Sequence, residues 1–251
     1  MKYTLKKSLG QHFLKDENIC LDIVAALKKM PFQQLLEVGP GGGALTKYLI
    51  QIPAIDFKCV ELDQEKVDWL KHTYPVLNDK IIHQSFLDIE CPFEGPFSVV
   101  GNFPYNISSQ ILFKILDWYP QVEQVVGMFQ KEVAQRVVAK EGSKVYGVLS
   151  VLMQVYFETE YLFEVHENSF NPPPKVKSAV ILMKPRKELV AMKSERQFKL
   201  LVKTAFNQRR KTLRNAVKGL FEPQELTDPI FDKRAEQLSV QDFATLSFKM
   251  R

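Results

Sequence analysis

Short β-rich runs alternating with helical stretches constrain this chain more than any other feature of its sequence. LLEVG (35–39), FKCVEL (57–62), KIIHQSF (80–86), FSVVGNF (97–103) and VEQVVGMFQ (122–130) are dense in β-branched and aromatic residues. Between them, ALTKYLIQI, QEKVDWLKHTY and SSQILFKILDWY carry apolar residues at helical spacing. This alternation predicts an α/β fold, a parallel sheet with helices on both faces. Two later runs, VLSVLMQVYFETEYLFEV and KSAVILMKP, flank FNPPPK with no clear helix between them, which predicts an antiparallel pair at the sheet edge. After Pro185 no strand is convincing, and Ser194 to Leu220 reads as helix. The expected organisation is a Rossmann-like domain over residues 1–187 and a small, all-helical domain over residues 188–251.

No apolar run approaches the roughly 18 residues of a membrane span, and the basic start MKYTLKKSLGQHF leads into no apolar signal core. The expectation is a cytoplasmic protein with no membrane contact. Cys20, Cys59 and Cys91 are widely spaced and form no CxxC pair, which argues for reduced thiols and against a metal site. The net charge of +5 is unevenly spread. Twelve Lys or Arg fall between Lys184 and Lys218 against two acids, so that stretch is +10 and the remainder −5. A basic segment on an acidic body points to a polyanion partner.

LLEVGPGGGALTKYL joins a strand, a glycine-rich turn and a helix. Gly39, Gly41 and Gly43 permit tight turning and close approach of a ligand. Glu61, 22 residues beyond Gly39, stands at the end of the second strand, where a carboxylate suits the hydroxyls of an adenosine ribose. The spacing is GxGxG rather than GxGxxG, and Glu37 precedes it. An acid at that point disfavours a pyrophosphate and favours a cation, so S-adenosylmethionine fits better than a nicotinamide cofactor. Asp88, after the third strand, is a candidate acceptor for the cofactor's adenine amino group; as a lone residue it reads equally well as a turn or N-cap acid.

The fourth strand ends in GNFPYN, and in a doubly wound sheet it neighbours the first across the switch point where ligands bind. The lone pair of an exocyclic amine on a base is delocalised into the ring. The Asn102 side-chain oxygen and the Pro104 carbonyl can each accept from such an amine and aim its lone pair. Tyr105 can stack on the base, worth roughly 1–3 kcal/mol.

Seven motifs in order, LGQHFLKD, EVGPGGGALT, VELD, GNFPYNIS, MFQKEVAQR, FNPPPKVKSAV and FNQRRKTLRN, span nearly the whole chain. With them the sequence resembles the ribosomal RNA adenine N6-dimethyltransferases, in particular the bacterial small-subunit type. The resemblance implies a class I S-adenosylmethionine methyltransferase sheet. It also implies dimethylation of two adjacent adenosines near the 3′ end of small-subunit rRNA, by a monomer acting on a pre-assembled small ribosomal subunit. Carried over, cofactor contacts fall on His12, Leu14, Gly39, Glu61, Asp88 and Asn102, with Gly41 added by the turn itself. Target contacts fall on Asn102, Pro104, Tyr105 and Phe170, the last mounted on the stiff FNPPPK loop. Two positions depart from the commonest family residues: His12, where asparagine is also common, and Phe103, where leucine or isoleucine is usual. Arg209, Arg210, Lys211 and Arg214 are the expected RNA contacts. The rival readings are a large-subunit rRNA adenine methyltransferase and a ribosome-assembly factor that acts mainly by binding.

Overall fold

Parallel strands covered on both faces must be apolar nearly throughout rather than alternating, and the central strands here obey that rule. The computed structural model describes residues 12–251. In chain order its elements are β1 (Phe13–Leu14), α1 (Glu17–Leu27), β2 (Gln34–Val38), α2 (Thr46–Leu49), β3 (Asp56–Glu61), α3 (Gln64–Thr73), β4 (Ile81–His83), β5 (Phe97–Asn102) and α4 (Ser108–Asp117). There follow β6 (Val122–Gln130), α5 (Lys131–Val138), α6 (Val148–Gln154), β7 (Phe157–Val165), β8 (Phe170–Asn171), β9 (Ser178–Pro185), α7 (Glu195–Asn207), α8 (Leu213–Val217) and α9 (Val240–Ser247). Four of the five residues of β2 and five of the six of β5 are buried. Helix α1 starts where the Asp16 carboxylate accepts from the amides of Asn18 and Ile19, and it buries Cys20, Ile23, Val24 and Leu27 along one stripe.

The large sheet runs β4-β3-β2-β5-β6-β9-β7. Strand β2 pairs in parallel with β3 on one side and β5 on the other, so the chain order reverses there. Strand β9 lies antiparallel to β6 and next to β7, which places the two late runs at the sheet edge as the sequence implied. The first half of the earlier run, Val148–Gln154, is helix instead of strand. An unbroken apolar run carries no period that separates the two.

The chain divides into two compact units, one made of residues up to Ala134 with Glu160–Pro185, the other of Gln135–Thr159 with Arg186–Arg251. The division after Pro185 sits close to the expected boundary, but the segment Gln135–Thr159 belongs with the C-terminal residues rather than with the sheet unit. In the second unit, Phe198, Leu201, Val202 and Ala205 of α7 are buried, and Phe206 meets Phe243 at 5.8 Å between centroids. The expected helix from Ser194 to Leu220 is interrupted. Residues 208–212 form a turn, where the Lys211 amide donates to Gln208, and the Leu213 amide donates to the Lys233 carbonyl at 2.7 Å. Gln-Arg-Arg-Lys-Thr supplies no apolar side chain to pin a helical turn there.

Candidate active site

Strands β2 and β5 end side by side, and each opens into a turn at its C-terminal end. After β2, Gly39 and Gly41 adopt φ of 67° and 55°, a left-handed conformation that glycine takes without steric cost. A Cβ on Gly41 would lie 2.7 Å from the Phe13 ring, so this turn also needs the missing side chain for space. The turn has its own support: the Gly41 amide donates to Glu61 at 3.0 Å, and the Asp63 amide donates to the other Glu61 oxygen at 2.9 Å. Helix α2 spans only four residues, with no side chain capping its start. The Thr46 hydroxyl that could have helped instead donates to Glu37 at 2.7 Å.

Two acids therefore back the glycine turn. Burial pushes Glu37 up to about 8, opposed by the Thr46 hydrogen bond and reinforced by the nearby Glu61. Burial also raises Glu61, against the two amides it accepts from. A carboxylate has about four acceptor sites, so Glu61 retains capacity for hydroxyl groups from the cavity it lines.

After β5 comes the turn Asn102–Tyr105. The Asn102 amide group donates to the His12 carbonyl at 2.9 Å, and its own oxygen Oδ1 is buried with no partner among the described residues. Leaving a buried acceptor unsatisfied costs roughly 1–3 kcal/mol, a cost that a donor on a ligand in the cavity Asn102 lines would remove. Tyr105 is hydrogen-bonded through its hydroxyl to Ser178 at the start of β9, and its ring stacks on His12 at 5.5 Å and 26°. Burial pushes the Tyr105 phenol up to about 12, so it stays neutral and serves as a surface, not a base. The Pro104 carbonyl accepts from Ile107 N at 3.3 Å and Ser108 Oγ at 3.2 Å, so any amine it holds shares an oxygen already committed to the turn.

A cavity of about 210 Å³ joins these groups; His12, Gly39, Gly41, Glu61, Asn102 and Tyr105 all line it, together with Pro104. A second cavity of about 200 Å³ lies across the glycine turn, lined by Leu14, Glu37, Lys47 and Asn102 among others. Phe13, Gly39 and Asn102 border both. An adenosine-bearing sulfonium fits this setting: a glycine cradle, an acid for its ribose and a second buried acid for its cationic end.

Two expected site residues line neither cavity. Asp88 is exposed and lines neither cavity; the wall at that point is built from Gln84 to Leu87. Phe170 is fully buried in the core and also lines neither. It pairs with Leu14 in the short β1–β8 ribbon, where the period-2 alternation turns Phe170 inward and Asn171 out. Its place is under the site. Phe103 does line the first cavity, although it is only 1% exposed, with its ring 4.8 Å from Phe129. Ser178 escaped the sequence reading: a serine opening a strand carries no signal until the fold brings it to Tyr105.

The expected RNA contacts lie in the second unit and divide into two kinds. Arg209 sits 3.6 Å from Glu236 and donates to the Lys144 carbonyl; Arg214 pairs with Asp232 at 2.9 Å and donates to Leu226 O. Arg210 and Lys211 are exposed on the 208–212 turn. Among the described residues no group of three or more His, Cys, Asp or Glu is placed to hold a metal, and no helix is long and apolar enough to cross a membrane.

A profile of the family described as Ribosomal RNA adenine dimethylase matches residues 2–249. A Ribosomal RNA small subunit methyltransferase A of Flavobacterium johnsoniae is 51% identical, covering 99% of this chain and 97% of its own. A protein of the same name from Cytophaga hutchinsonii is 50% identical, covering 98% and 97%. Among solved structures, a dimethyladenosine transferase from Plasmodium falciparum superposes with a TM-score of 0.77 at 24% identity, covering 94% of this chain and 96% of that one. The 23S rRNA methyltransferase ErmE superposes at 0.72 and 22% identity, covering 95% and 99%. At those identities the two structures speak for the fold, a class I methyltransferase sheet.

Proposed function

Because this chain belongs to the ribosomal RNA adenine dimethylase family, we propose that it transfers methyl groups from S-adenosylmethionine to N6 of two adjacent adenosines near the 3′ end of small-subunit rRNA, converting each to dimethyladenosine. The observation that carries this reading is the buried Asn102 oxygen at the end of β5, beside the glycine turn, which has no partner among the described residues.

The cofactor, when bound, supplies a methyl carbon made electrophilic by its sulfonium. Gly39 and Gly41 give its body room against bare backbone, Glu61 accepts from its ribose, and Glu37 faces its cationic end. Leu14 and His12 close over the turn from the N-terminal side. Asn102 Oδ1 accepts one N6 hydrogen and holds the amine with its lone pair toward the methyl carbon. The Pro104 carbonyl takes the second hydrogen as a shared acceptor, beside the Ile107 amide and the Ser108 hydroxyl. Tyr105 offers a neutral ring face to the base, which helps offset the few kcal/mol of unstacking it. Phe170 acts from beneath, fixing β1 against β8. The bound cofactor would supply the methyl carbon and keep the electron pair of the broken carbon–sulfur bond on sulfur, while Asn102 and Pro104 hold the amine, whose proton would pass to solvent.

Arg210 and Lys211, exposed on their turn and without an ion pair among the described residues, take rRNA phosphates, and Arg209 and Arg214 add to the field while bracing the fold. The protein works in the cytoplasm as a monomer on a pre-assembled small subunit. The test is transfer of labelled methyl to small subunits lacking the modification, with the product nucleoside identified. Dimethyladenosine at two neighbouring positions of small-subunit rRNA is expected; label confined to large-subunit rRNA overturns the reading.

A further inference from the structure

Asn102 is useful only if the turn carrying it is held at a fixed height over the glycine cradle. Among the contacts that hold the turn are Asn102 to the His12 carbonyl, Tyr105 to Ser178, the Phe103 amide to the Met128 carbonyl at 3.1 Å, and Pro104 against Gly39, where a Cβ would sit 3.7 Å from the proline ring. The Phe103 side chain is the one side chain of the turn that is buried, and a gap in the sheet lies beneath it.

Gly101 of β5 and Gly127 of β6 are register partners on neighbouring strands. Two glycines facing each other across a parallel pair leave a notch in the sheet with no Cβ on either side. The Phe103 ring fills it. A Cβ on Gly101 would come within 3.0 Å of Phe103 Cε1, and a Cβ on Gly127 within 2.2 Å of Cε2 and 2.9 Å of Cδ2. One edge of the ring therefore rests on each glycine. The Phe129 ring closes the side of the notch, 2.8 Å from the same absent Gly127 carbon. Glycine within a strand often marks a close approach of this kind.

We propose that the Gly101–Gly127 notch is a positioning device for the reaction: by seating Phe103, it sets where the Asn102 oxygen stands relative to the methyl donor, and Gly127 is its adjustable half. The inference rests on the methyltransferase reading above. Gly101 is a poor probe, since its Cβ would also strike the Val38 carbonyl at 2.6 Å and disturb the sheet itself. The nearest atoms to a Gly127 Cβ all belong to two side-chain rings, Phe103 first and Phe129 second, so Gly127→Ala displaces rings, and Phe103 by the most. A displacement near 1 Å at a reacting group costs up to about 10²-fold in rate.

The test compares wild type, G127A and the double variant F103L/G127A. The readouts are single-turnover methyl transfer to unmodified small subunits, calorimetric affinity for S-adenosylhomocysteine, and a crystal structure of G127A. Expected are a loss of about 10-fold or more in the rate for G127A, an S-adenosylhomocysteine affinity close to wild type, and recovery of most of the rate when Phe103 is trimmed to leucine. Three results each overturn the inference: a G127A rate equal to wild type, parallel loss of cofactor affinity and rate, or no recovery in the double variant. The crystal structure decides independently of any activity. The Asn102–Tyr105 turn is expected to shift away from Gly39, and an unmoved turn sinks the positioning role even if the wild-type protein methylates nothing.

Discussion

Asn102 and His12, ninety residues apart in sequence, are joined by a 2.9 Å hydrogen bond from the Asn102 amide group to the His12 carbonyl. The bond commits the donor end of the amide, so the acceptor end is left buried and unpaired among the described residues. An unconstrained asparagine presents either end to a ligand; this one presents oxygen.

Asn102→Ala removes that oxygen and keeps the surrounding backbone. Methyl transfer is expected to fall by at least about 10²-fold, the usual scale for losing one preorganised polar contact at a reacting centre. Binding of the small subunit is expected to persist, because the cations proposed to take its phosphates, Arg210 and Lys211, are left in place. Pull-down of unmodified subunits beside the methylation assay checks both. Equal loss of the two would show that Asn102 is needed for docking rather than for chemistry.

Tyr105 is expected to separate into ring and hydroxyl. Tyr105→Phe and Ser178→Ala each remove one hydrogen bond worth about 1 kcal/mol, so each lowers the transfer rate only a few-fold. Tyr105→Ala also discards the stacking face, a further loss of roughly 1–3 kcal/mol. Single-turnover rates of the three variants give the ordering. A Tyr105→Phe enzyme as impaired as Tyr105→Ala would mean that the phenol takes part in the reaction, against its neutral character.

Much of this site was legible in the residues because its scaffold is. A parallel strand buried on both faces has to be apolar, a glycine turn has to follow it, and Glu61 falls at the end of the next strand for the same topological reason. What escaped was set by tertiary packing. The ring of Phe170 goes inward because two residues of β8 pair with β1, a ribbon too short to leave a pattern. Asp88 follows a wall that already closes at Leu87. Gly127 reads as an ordinary strand glycine until its register partner is known. The helix broken at 208–212 misled for a related reason: charged residues are helix formers by propensity, and only the Leu213 amide, taken by Lys233, shows where the helix stops.

Glu37 predicts a pH dependence of stability. Its ordinary value is 4.5 and burial carries the folded-state value to about 8. Below 4.5 both folded and unfolded states hold the proton. Between 4.5 and about 8 the folded protein keeps a proton that the unfolded chain has released, so stability falls as pH rises across that window. Above about 8 the folded protein carries the buried charge and the loss is complete. Glu37→Gln keeps an oxygen for the Thr46 hydroxyl. It is expected to flatten the decline, and to melt higher than wild type at pH 8, with cofactor absent from both. Glu61 is raised in the same sense and keeps part of the slope. Thermal melts from pH 5 to 9 decide, and parallel curves for the two proteins would remove Glu37 from the account.

The basic turn of the second unit predicts a division between binding and bracing. Arg210 and Lys211 are exposed, whereas Arg209 and Arg214 are engaged with Glu236 and Asp232 and with main-chain carbonyls. Each phosphate neutralised by a cation contributes about 0.7–0.9 to the slope of log affinity against log salt, depending on strandedness. The double variant Arg210→Ala, Lys211→Ala is therefore expected to lower that slope by about 1–2 for small-subunit rRNA while leaving the melting temperature unchanged. Arg214→Ala is expected to do more to stability than to the slope. It frees the Leu226 carbonyl and an exposed carboxylate, a pair of the kind worth about 0.2–1 kcal/mol. Filter-binding titrations from low to high salt, run beside thermal melts, measure both quantities on each variant. If the slope drops for Arg214→Ala and not for the double variant, the assignment is reversed: the paired arginine would be leaving Asp232 for the RNA, and the exposed turn would be a solvated surface.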